Sequence, residues 1–425
     1  MKHIKMTESN NIPKHWQLKK LGEVCEVVTG TTPPKSDTSN YGNAISFFKP
    51  PHLWDELISD TEEKLSLKGG EKARLVPPNT VLVTCIGNLG RTGFVKKKAA
   101  FNQQLNAILE NENIGGKFIF YQAQSPVFRR QLEKLATGTT VSIVNKRNFE
   151  TILIPIPPLP EQLTIVAKIE ELFSGLDNGI AQLKTAQQQL KVYRQSLLKC
   201  AFEGKLTNKN VKEGELPKGW KVVQIKDVAE TFGGYAFKSG EFLQQGRFQV
   251  LRMGNVRPGL IRYSESPIFL NDIEQSVLSR ALLKINDVII TQTGTRQKRD
   301  YGFTVLIQKQ NLLLNQRIAS IRFSEKYLPK FFLYFSWTDL FKDQFFANET
   351  GNVGQGNVGI KAVTETLIPC PSLKEQQLIV SELESKLTVC DKIEETISQS
   401  LQQAETLRQS ILKKAFEGKL VKTKP

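Results

Sequence analysis

Apolar residues recur at heptad spacing near the C-terminus of the chain. Leu383, Cys390, Ile397, Ala404 and Ile411 lie seven positions apart and predict one apolar face of a long helix. At 1.5 Å per residue, a helix of about 40 residues would be roughly 60 Å long, which is longer than a small domain is wide. A helix with so narrow an apolar stripe gains most of its stability from packing, so it needs a partner.

The chain contains a second copy of this segment. Residues 159–207 align without a gap onto residues 373–421, with about 20 identities over roughly 49 positions. Both copies end in Arg-Gln-Ser-x-Leu-Lys-x-Ala-Phe-Glu-Gly-Lys-Leu. We therefore predict two long helices that pack as an antiparallel coiled coil. Two roles stay open for them: a spacer between two domains, or a spacer whose outer surfaces also bind another protein.

The segments that precede the two helices also repeat, although more weakly, and residues 81–87 parallel residues 288–294. Short runs rich in β-branched residues predict strands at 24–28, 80–85, 287–292 and 316–323. Aromatic stretches with helical spacing, which predict core helices, occupy 118–128 and 330–346. The predicted fold class is α+β, with two pseudo-repeated strand-rich domains separated by the two helices. The predicted boundaries are 1–158 and 208–372 for the domains, and 159–207 and 373–425 for the helical regions.

The charge balance points to the kind of partner. Lysine and arginine number 58 against 42 aspartate and glutamate residues, which gives a formal net charge of +16. A balance this basic in a chain of ordinary globular composition favours a polyanion. Basic residues follow the two parallel strand signals, namely Arg91, Lys96, Lys97 and Lys98 in the first domain and Arg296, Lys298 and Arg299 in the second. We predict equivalent loops that contact duplex DNA, although either cluster alone could be a solvated charge run.

Motifs for other chemistry are sparse. The five cysteines are scattered singly, which supports neither a disulfide framework nor a zinc site. A G-x-G-x-x-G match at 354–359 lacks the preceding strand that a dinucleotide site requires, so we interpret it as a flexible loop. No P-loop motif and no run of 18 apolar residues occurs. We expect a cytoplasmic protein without a metal, a cofactor or catalytic residues.

Two further motifs carry a resemblance to a known family. Residues 155–162 read Pro-Ile-Pro-Pro-Leu-Pro-Glu-Gln, and residues 201–206 read Ala-Phe-Glu-Gly-Lys-Leu. The order of domain, proline motif, helix and closing motif then occurs again. Over essentially the whole chain this layout resembles the specificity subunit of Type I restriction-modification enzymes. The second proline motif departs from the pattern because Lys374 replaces its last proline.

The resemblance implies two target-recognition domains, each of which reads one half of a bipartite site in double-stranded DNA. It implies that the paired helices set the gap between the half-sites and dock methyltransferase subunits, expected to be two. Restriction subunits would join the assembled complex. In this family the specificity subunit carries no catalytic centre, so DNA methylation and cleavage would belong to its partners.

Base-contacting residues vary with the DNA sequence that a recognition domain reads, so the candidates come from this chain alone. The candidates for DNA binding are Lys35, Lys49, Asn88, Arg91, Lys146, Arg147, Arg252, Asn255, Arg257, Gln292, Arg296, Lys298 and Arg299. The candidates for contact with other subunits lie at the ends of the helices and are Glu161, Gln162, Phe202, Glu375, Gln376 and Phe416.

Two other classes of function stay open at this point. A non-catalytic coiled-coil scaffold with an incidental basic surface would account for the helices, but not for basic clusters at matching positions. DNA binding by such a scaffold would be absent or insensitive to salt. A stand-alone nuclease or methyltransferase would account for the basic charge, but it needs a metal or cofactor site. The purified chain would then be active alone.

Overall fold

The computed structural model describes residues 12–208, 210–212, 214–352 and 354–421. Contacts divide the chain into two compact units. The first unit comprises Met1–Lys184 and Ser398–Pro425, and the second comprises Thr185–Ile397. The division falls inside both long helices, so each helix contributes one part to each unit.

The first unit is built on two mixed sheets and a two-stranded ribbon. Its strands are β1 (Gln17–Lys20), β2 (Val27–Thr29), β3 (Tyr41–Phe48), β4 (Glu56–Ile58), β5 (Lys64–Leu65), β6 (Leu75–Val76), β7 (Val81–Thr84), β8 (Thr92–Val95), β9 (Ala99–Phe101), β10 (Leu105–Ile108) and β11 (Leu153–Ile156). The larger sheet has the order β2-β10-β7-β8-β4, and the smaller has the order β5-β3-β9-β6. The β4-β8 and β3-β9 pairs are parallel. The ribbon pairs β1 with β11, which leads into the first long helix.

The helices of the first unit are short apart from the last. They are α1 (Leu21–Val24), α2 (Leu67–Lys72), α3 (Gly116–Gln124), α4 (Pro126–Lys134) and α5 (Lys146–Phe149), followed by the long α6 (Leu159–Phe202). The aromatic stretch predicted to be core forms α3 and α4, and its residues Phe118, Phe120 and Phe128 are buried.

The second unit repeats part of this plan with its own set of strands. They are β12 (Lys221–Gln224), β13 (Ala229–Gly233), β14 (Phe248–Leu251), β15 (Val256–Arg257), β16 (Leu260–Ile261), β17 (Phe269–Leu270), β18 (Val288–Thr291), β19 (Thr293–Gly294), β20 (Thr304–Leu306), β21 (Leu312–Leu314), β22 (Ile318–Phe323), β23 (Thr350–Gly351), β24 (Gly356–Asn357) and β25 (Leu367–Cys370). Its helices are α7 (Ile225–Val228), α8 (Gln275–Ala281), α9 (Pro329–Phe335), α10 (Asp339–Ala347), α11 (Ile360–Glu365) and the long α12 (Leu373–Phe416).

Four strands of the larger sheet in the first unit have counterparts in the central sheet of the second unit. The order β13-β22-β18-β20 in the second unit matches β2-β10-β7-β8 in the first, with antiparallel neighbours throughout. The β12-β25 ribbon matches β1-β11 in the same way. The weak repeat between residues 81–87 and 288–294 therefore marks equivalent strands, β7 and β18.

Both units contain the start of one long helix and the end of the other. In the first unit, Ile165 and Phe173 near the start of α6 share a core with Leu412 and Phe416 near the end of α12. In the second unit, the end of α6 and the start of α12 share a core in the same manner. The two 44-residue helices are thus packed antiparallel, and the predicted fold class is confirmed.

The heptad stripe of α12 is the face that packs. Leu383, Cys390, Ile397, Ala404 and Ile411 are all buried. Ion pairs flank the stripe within each unit, with Arg194 of α6 joined to Asp391 and Glu394 of α12 at 2.7 and 2.9 Å, and Arg408 of α12 joined to Asp177 of α6. Exposed ion pairs of this kind each contribute about 1 kcal/mol or less, so burial of the stripe supplies most of the stabilisation. Among the helices of the described residues, none has the length and apolar character needed to cross a membrane.

Replacing Phe416 by alanine should destabilise the protein by about 3–5 kcal/mol, because the ring is buried and packs edge-to-face on Phe118 with centroids 5.4 Å apart. Urea unfolding followed by circular dichroism measures this loss. Leu407→Ala is the matched control on the same helix, since Leu407 is 52% exposed and its truncation should change the unfolding free energy by less than about 0.5 kcal/mol. Equal losses in the two variants would contradict the assignment of the packing face.

Candidate nucleic-acid interface

The loop between β7 and β8 carries Asn88 and Arg91. Thr84, the last residue of β7, closes the loop because its hydroxyl donates to the carbonyl of Asn88 at 2.6 Å and accepts from the backbone N–H of Arg91 at 2.9 Å. Gly87 and Gly90 both have positive φ, near +80°, a conformation that L side chains rarely adopt. The loop is therefore tightly turned, and it leaves the side chain of Asn88 exposed.

A second segment, residues 137–147, lies against this loop. Backbone hydrogen bonds join Gly87 N–H to the carbonyl of Ser142 at 2.9 Å, and Val144 N–H to the carbonyl of Cys85 at 2.8 Å. Asn145 then caps α5, which places Lys146 at the first turn of that helix. The structure thus brings Asn88 to the segment that ends in the exposed Lys146 and Arg147, although about 60 positions separate them in the sequence.

The basic stretch predicted as one loop in the first domain is divided by a strand. Arg91 precedes β8 and Lys96, Lys97 and Lys98 follow it, so the lysines lie at the opposite end of that strand. A strand of four residues is roughly 13 Å long, which separates the two groups on the surface. The prediction of a single basic loop was wrong here, and only Arg91 belongs to the loop that follows β7.

The other two candidates of the first unit lie outside this loop. Lys35 is exposed in the segment between β2 and β3. Lys49 is half-buried and forms an ion pair with Glu63. It stands immediately before a single turn of 3-10 helix, Pro50–His52, that leads to Trp54.

The equivalent loop of the second unit contains Arg296, Lys298 and Arg299. Its shape is set by Asp300, which accepts from the backbone N–H of Thr295 at 2.6 Å and from the hydroxyl of Thr295 at 3.2 Å. Lys298 is exposed, and Arg299 has a positive φ of 46°. In contrast to the first unit, all three cations belong to one loop.

A β-hairpin lies against this loop, as residues 137–147 do in the first unit. Its strands β23 and β24 pair with each other, and β24 also pairs with β19. Glu349 joins the two parts, since it forms an ion pair with Arg296 at 3.0 Å and accepts from the Tyr301 hydroxyl. Burial, together with this hydrogen bond, raises the pKa of Tyr301 well above its usual value. The G-x-G-x-x-G match at 354–359 lies outside regular structure except for Gly356 and Asn357, which form β24, so its interpretation as a loop is wrong for these two residues.

Two amide candidates are internal to the fold. Asn255 is buried, donates to the carbonyls of Arg262 and Glu265 at 3.2 and 2.8 Å, and accepts from the N–H of Arg252. Gln292 is also buried and donates to a backbone carbonyl of the segment after β24 at 3.0 Å. The side-chain amides of Asn255 and Gln292 thus already donate hydrogen bonds to backbone carbonyls and stabilise the local fold.

Two arginine candidates bond to nearby backbone. Arg252 donates to the carbonyl of Ser266 at 2.6 Å, and Arg257 donates to the carbonyl of Gly254 at 2.8 Å. Each keeps further N–H donors, because a guanidinium carries five.

The carboxylates at the helix starts bind within the chain. Glu161 accepts from the Trp16 indole at 3.0 Å and contacts His15 at 2.9 Å. At the equivalent position Glu375 accepts from the Asn208 amide at 2.7 Å. Each carboxylate thus ties the start of one long helix to a segment distant in sequence.

The neighbouring glutamines, Gln162 and Gln376, are buried at the same two places, where a long helix starts from its domain. Gln162 donates to the carbonyl of Asn113 at 2.9 Å and accepts from the N–H of Gly115 at 3.2 Å. Gln376 accepts from the N–H of Leu328 at 2.7 Å. A buried amide loses free energy unless it is hydrogen-bonded, so these bonds fix where each helix leaves its domain.

The two aromatic candidates are the last residues of the long helices, and each packs in the unit where the other long helix starts. Phe202 packs on Phe331 and Phe335 with ring centroids 5.0 and 5.3 Å apart, and Phe416 packs on Phe118. The six residues predicted to contact other subunits therefore all make contacts inside the chain. Contact with another subunit through them stays a prediction.

Sequence reasoning missed the aromatic and acidic residues around the loops, namely Trp54, Phe346 and Glu349. No local signal in the sequence places these residues beside the loops. Within the described ranges, no group of three or more His, Cys, Asp or Glu side chains could hold a metal ion.

The family model for the type I restriction modification DNA specificity domain matches the chain twice, over residues 13–190 and 217–403. The EcoKI specificity subunit of Escherichia coli (strain K12) is 24% identical over 424 residues, which covers 97% of this chain and 90% of that protein. The MjaVIII specificity subunit of Methanocaldococcus jannaschii is also 24% identical over 424 residues, with 96% and 94% covered.

Solved structures share the fold. A chain from a structure of the type I R-M system superposes with a TM-score of 0.76 at 21% identity, covering 96% of this chain and 99% of that one. The HsdS subunit from Thermoanaerobacter tengcongensis superposes with a TM-score of 0.60 at 21% identity, covering 97% and 100%. Since the two matches of the family model span most of the sequence, the chain belongs to the family of type I restriction-modification DNA specificity proteins.

Proposed function

We propose that this chain is the DNA-recognition subunit of a type I restriction-modification complex, and that each unit reads one half of a bipartite duplex site. The observation that carries the proposal is the recurrence of one surface in both units. In each, the loop that follows the equivalent strand, β7 or β18, carries at least one arginine, and a second segment is hydrogen-bonded against it. In the first unit that second segment adds Lys146 and Arg147. A basic surface that recurs in two diverged copies is better explained by a shared polyanionic ligand than by chance.

Electrostatics supports the same ligand. Lys35, Arg147 and Lys298 are exposed, and within the described part of the chain none of them forms an ion pair. Each can therefore neutralise a phosphate and release a counterion. Such contacts position a protein on duplex DNA, and the side chains that read base edges supply the specificity.

The helices supply the second part of the proposed role. Several of their apolar side chains remain exposed in the second unit, and Tyr193, Val389 and Ile393 line a groove of about 580 Å³. We assign this groove to the methyltransferase subunits, with the paired helices setting the gap between the two half-sites. The chain itself would carry no catalytic centre, and methyl transfer and cleavage would belong to its partners.

Co-expression tests the whole proposal. The chain is expressed with and without a candidate methyltransferase subunit, ideally the product of the neighbouring reading frame, and methylated positions are mapped across the genome by single-molecule sequencing. A bipartite motif with a fixed gap should appear only with both proteins present. A soluble complex without methylation would favour an assembly scaffold, whereas methylation by this chain alone would reveal an enzyme.

The double variant Lys146→Ala/Arg147→Ala should weaken DNA binding by the assembled complex to a similar extent for all sequences. The slope of log K against log salt should fall by about 2, since each neutralised phosphate contributes about 0.9. Fluorescence anisotropy across a salt titration measures both effects. Lys97→Ala/Lys98→Ala removes the same charge at the far end of β8 and should leave the slope unchanged. An equal change in both double variants would indicate a general charge effect instead of a contact.

Tyr193→Asp and Val389→Asp should each weaken binding of the methyltransferase subunit at least tenfold, because a carboxylate would be desolvated in the apolar groove. Isothermal titration calorimetry measures the affinity. Leu340→Asp is the control, since Leu340 is similarly exposed in the same unit but lies on α10. Unchanged affinity in both groove variants, with unfolding temperatures equal to that of the parent chain, would place the docking surface elsewhere.

A further inference from the structure

The recognition loops are residues 85–91, which follow β7, and residues 295–300, which follow β18 and β19. One arginine in each recognition loop lies over an aromatic ring. The guanidinium carbon of Arg91 is 4.2 Å from the centroid of the Trp54 ring, and that of Arg299 is 4.8 Å from the centroid of the Phe346 ring. Both arginines belong to the loop that follows the equivalent central strand, β7 or β18. An arginine over an aromatic ring is therefore found in this loop in both units.

Trp54 is held in place although its side chain is 62% exposed. Its indole N–H donates to the carbonyl of Pro51 at 2.9 Å. The backbone N–H of the next residue, Asp55, donates to the carbonyl of Thr92 at 2.9 Å, and the Asp55 carboxylate accepts from the N–H and hydroxyl of Thr92 at 2.8 and 3.0 Å. Asp55 has a positive φ of 62° and forms an ion pair with Arg129, which helps to maintain this strained backbone.

In the second unit the ring under the arginine is Phe346, which is held by different contacts. Phe346, near the end of α10, packs edge-to-face on Tyr301 and Phe345, with ring centroids 5.1 and 5.2 Å apart. Arg299 has a positive φ of 46°, which costs free energy for a residue other than glycine. Its backbone N–H donates to the carbonyl of Thr295 at 2.9 Å, which fixes the turn that carries it.

Neither stacked arginine is neutralised within the part of the chain that the structure describes. In the same loop as Arg299, Arg296 is paired with Glu349, and elsewhere in that unit Arg322 is paired with Asp287. No carboxylate lies within ion-pair distance of Arg91 or Arg299 among the described residues. The planar fork of donors on each is therefore available to a ligand.

We propose that Arg91 and Arg299 are specificity-determining residues, each reading a guanine through the major groove, one in each half-site. A guanidinium matches the O6 and N7 acceptors of guanine with two parallel hydrogen bonds. Stacking on a ring leaves this edge free and restricts the side-chain rotamers before DNA arrives. Trp54 and Phe346 are then positioning residues. The inference rests on the proposed function, because it requires the chain to read duplex DNA.

Lysine variants separate base reading from charge. Arg91→Lys and Arg299→Lys are each co-expressed with the methyltransferase subunit, and methylated sites are mapped and scored by position. Each variant should lose about 5- to 150-fold of discrimination at one G·C pair of one half-site, because lysine keeps the charge but cannot form the paired bonds. The other half-site and the gap should stay as in the parent complex.

The ring is tested by Trp54→Ala and Trp54→Phe. Trp54→Ala should relax the same base position as Arg91→Lys, to a smaller degree, and Trp54→Phe should restore most of the discrimination. A purely structural role for Trp54 would lower stability or overall methylation without selecting that position. Lys97→Ala is the charge control and should leave the motif intact.

The same experiment distinguishes a failure of this inference from a failure of the proposed function. If the parent complex gives a bipartite motif but Arg91→Lys and Arg299→Lys leave every position unchanged, the arginines do not read bases. Weaker binding to all sequences without a change of motif would assign them to phosphates and overturn the inference. Absence of any bipartite motif with the parent complex would remove the proposed function and this inference together.

Discussion

The antiparallel pairing of two 44-residue helices is the constraint on which the rest of the structure depends. A narrow apolar stripe cannot stabilise a helix of this length in water, so each helix needs the other. The core of each unit is completed by the end of the helix that does not start there, as Phe416 shows in the first unit. Neither core can therefore form fully from one contiguous stretch of sequence, and the folding of both units is linked through the helices.

The start of each long helix is fixed to the domain that carries a recognition loop. Gln162 and Gln376 are buried at the helix starts, and their amides bond to backbone groups of the same unit that carries the recognition loop. Because those bonds would be lost without replacement if the helix turned, they anchor the helix start to its domain. A protein that docks on the helix surface within a unit is thus held in a defined position relative to the loop of that unit.

The sequence predicted features that depend on period and on repetition. The heptad positions from Leu383 to Ile411 are all buried, and the aligned strands β7 and β18 occupy the same place in their sheets. The sequence did not predict that the four-residue strand β8 separates Arg91 from Lys96, because so short a run shows little hydrophobic periodicity. The position of Trp54 beside Arg91 also had no local signal. It results from the pairing of β4 with β8, a contact between segments far apart in the chain.

The two units reach the same arrangement around the arginine by different routes. Trp54 comes from a turn before β4, fixed by the hydrogen bonds of Asp55, whereas Phe346 comes from a helix that follows the central sheet. Repeats that diverge from one ancestor retain shared contacts by inheritance, but these two aromatic platforms occupy different positions in the chain order and cannot be aligned. An arginine stacked on an aromatic ring thus occurs on non-equivalent supports at an equivalent loop. The fold is satisfied in each unit without a common residue at that support, so the shared feature is the stacked arginine itself, as expected if both loops serve one class of ligand.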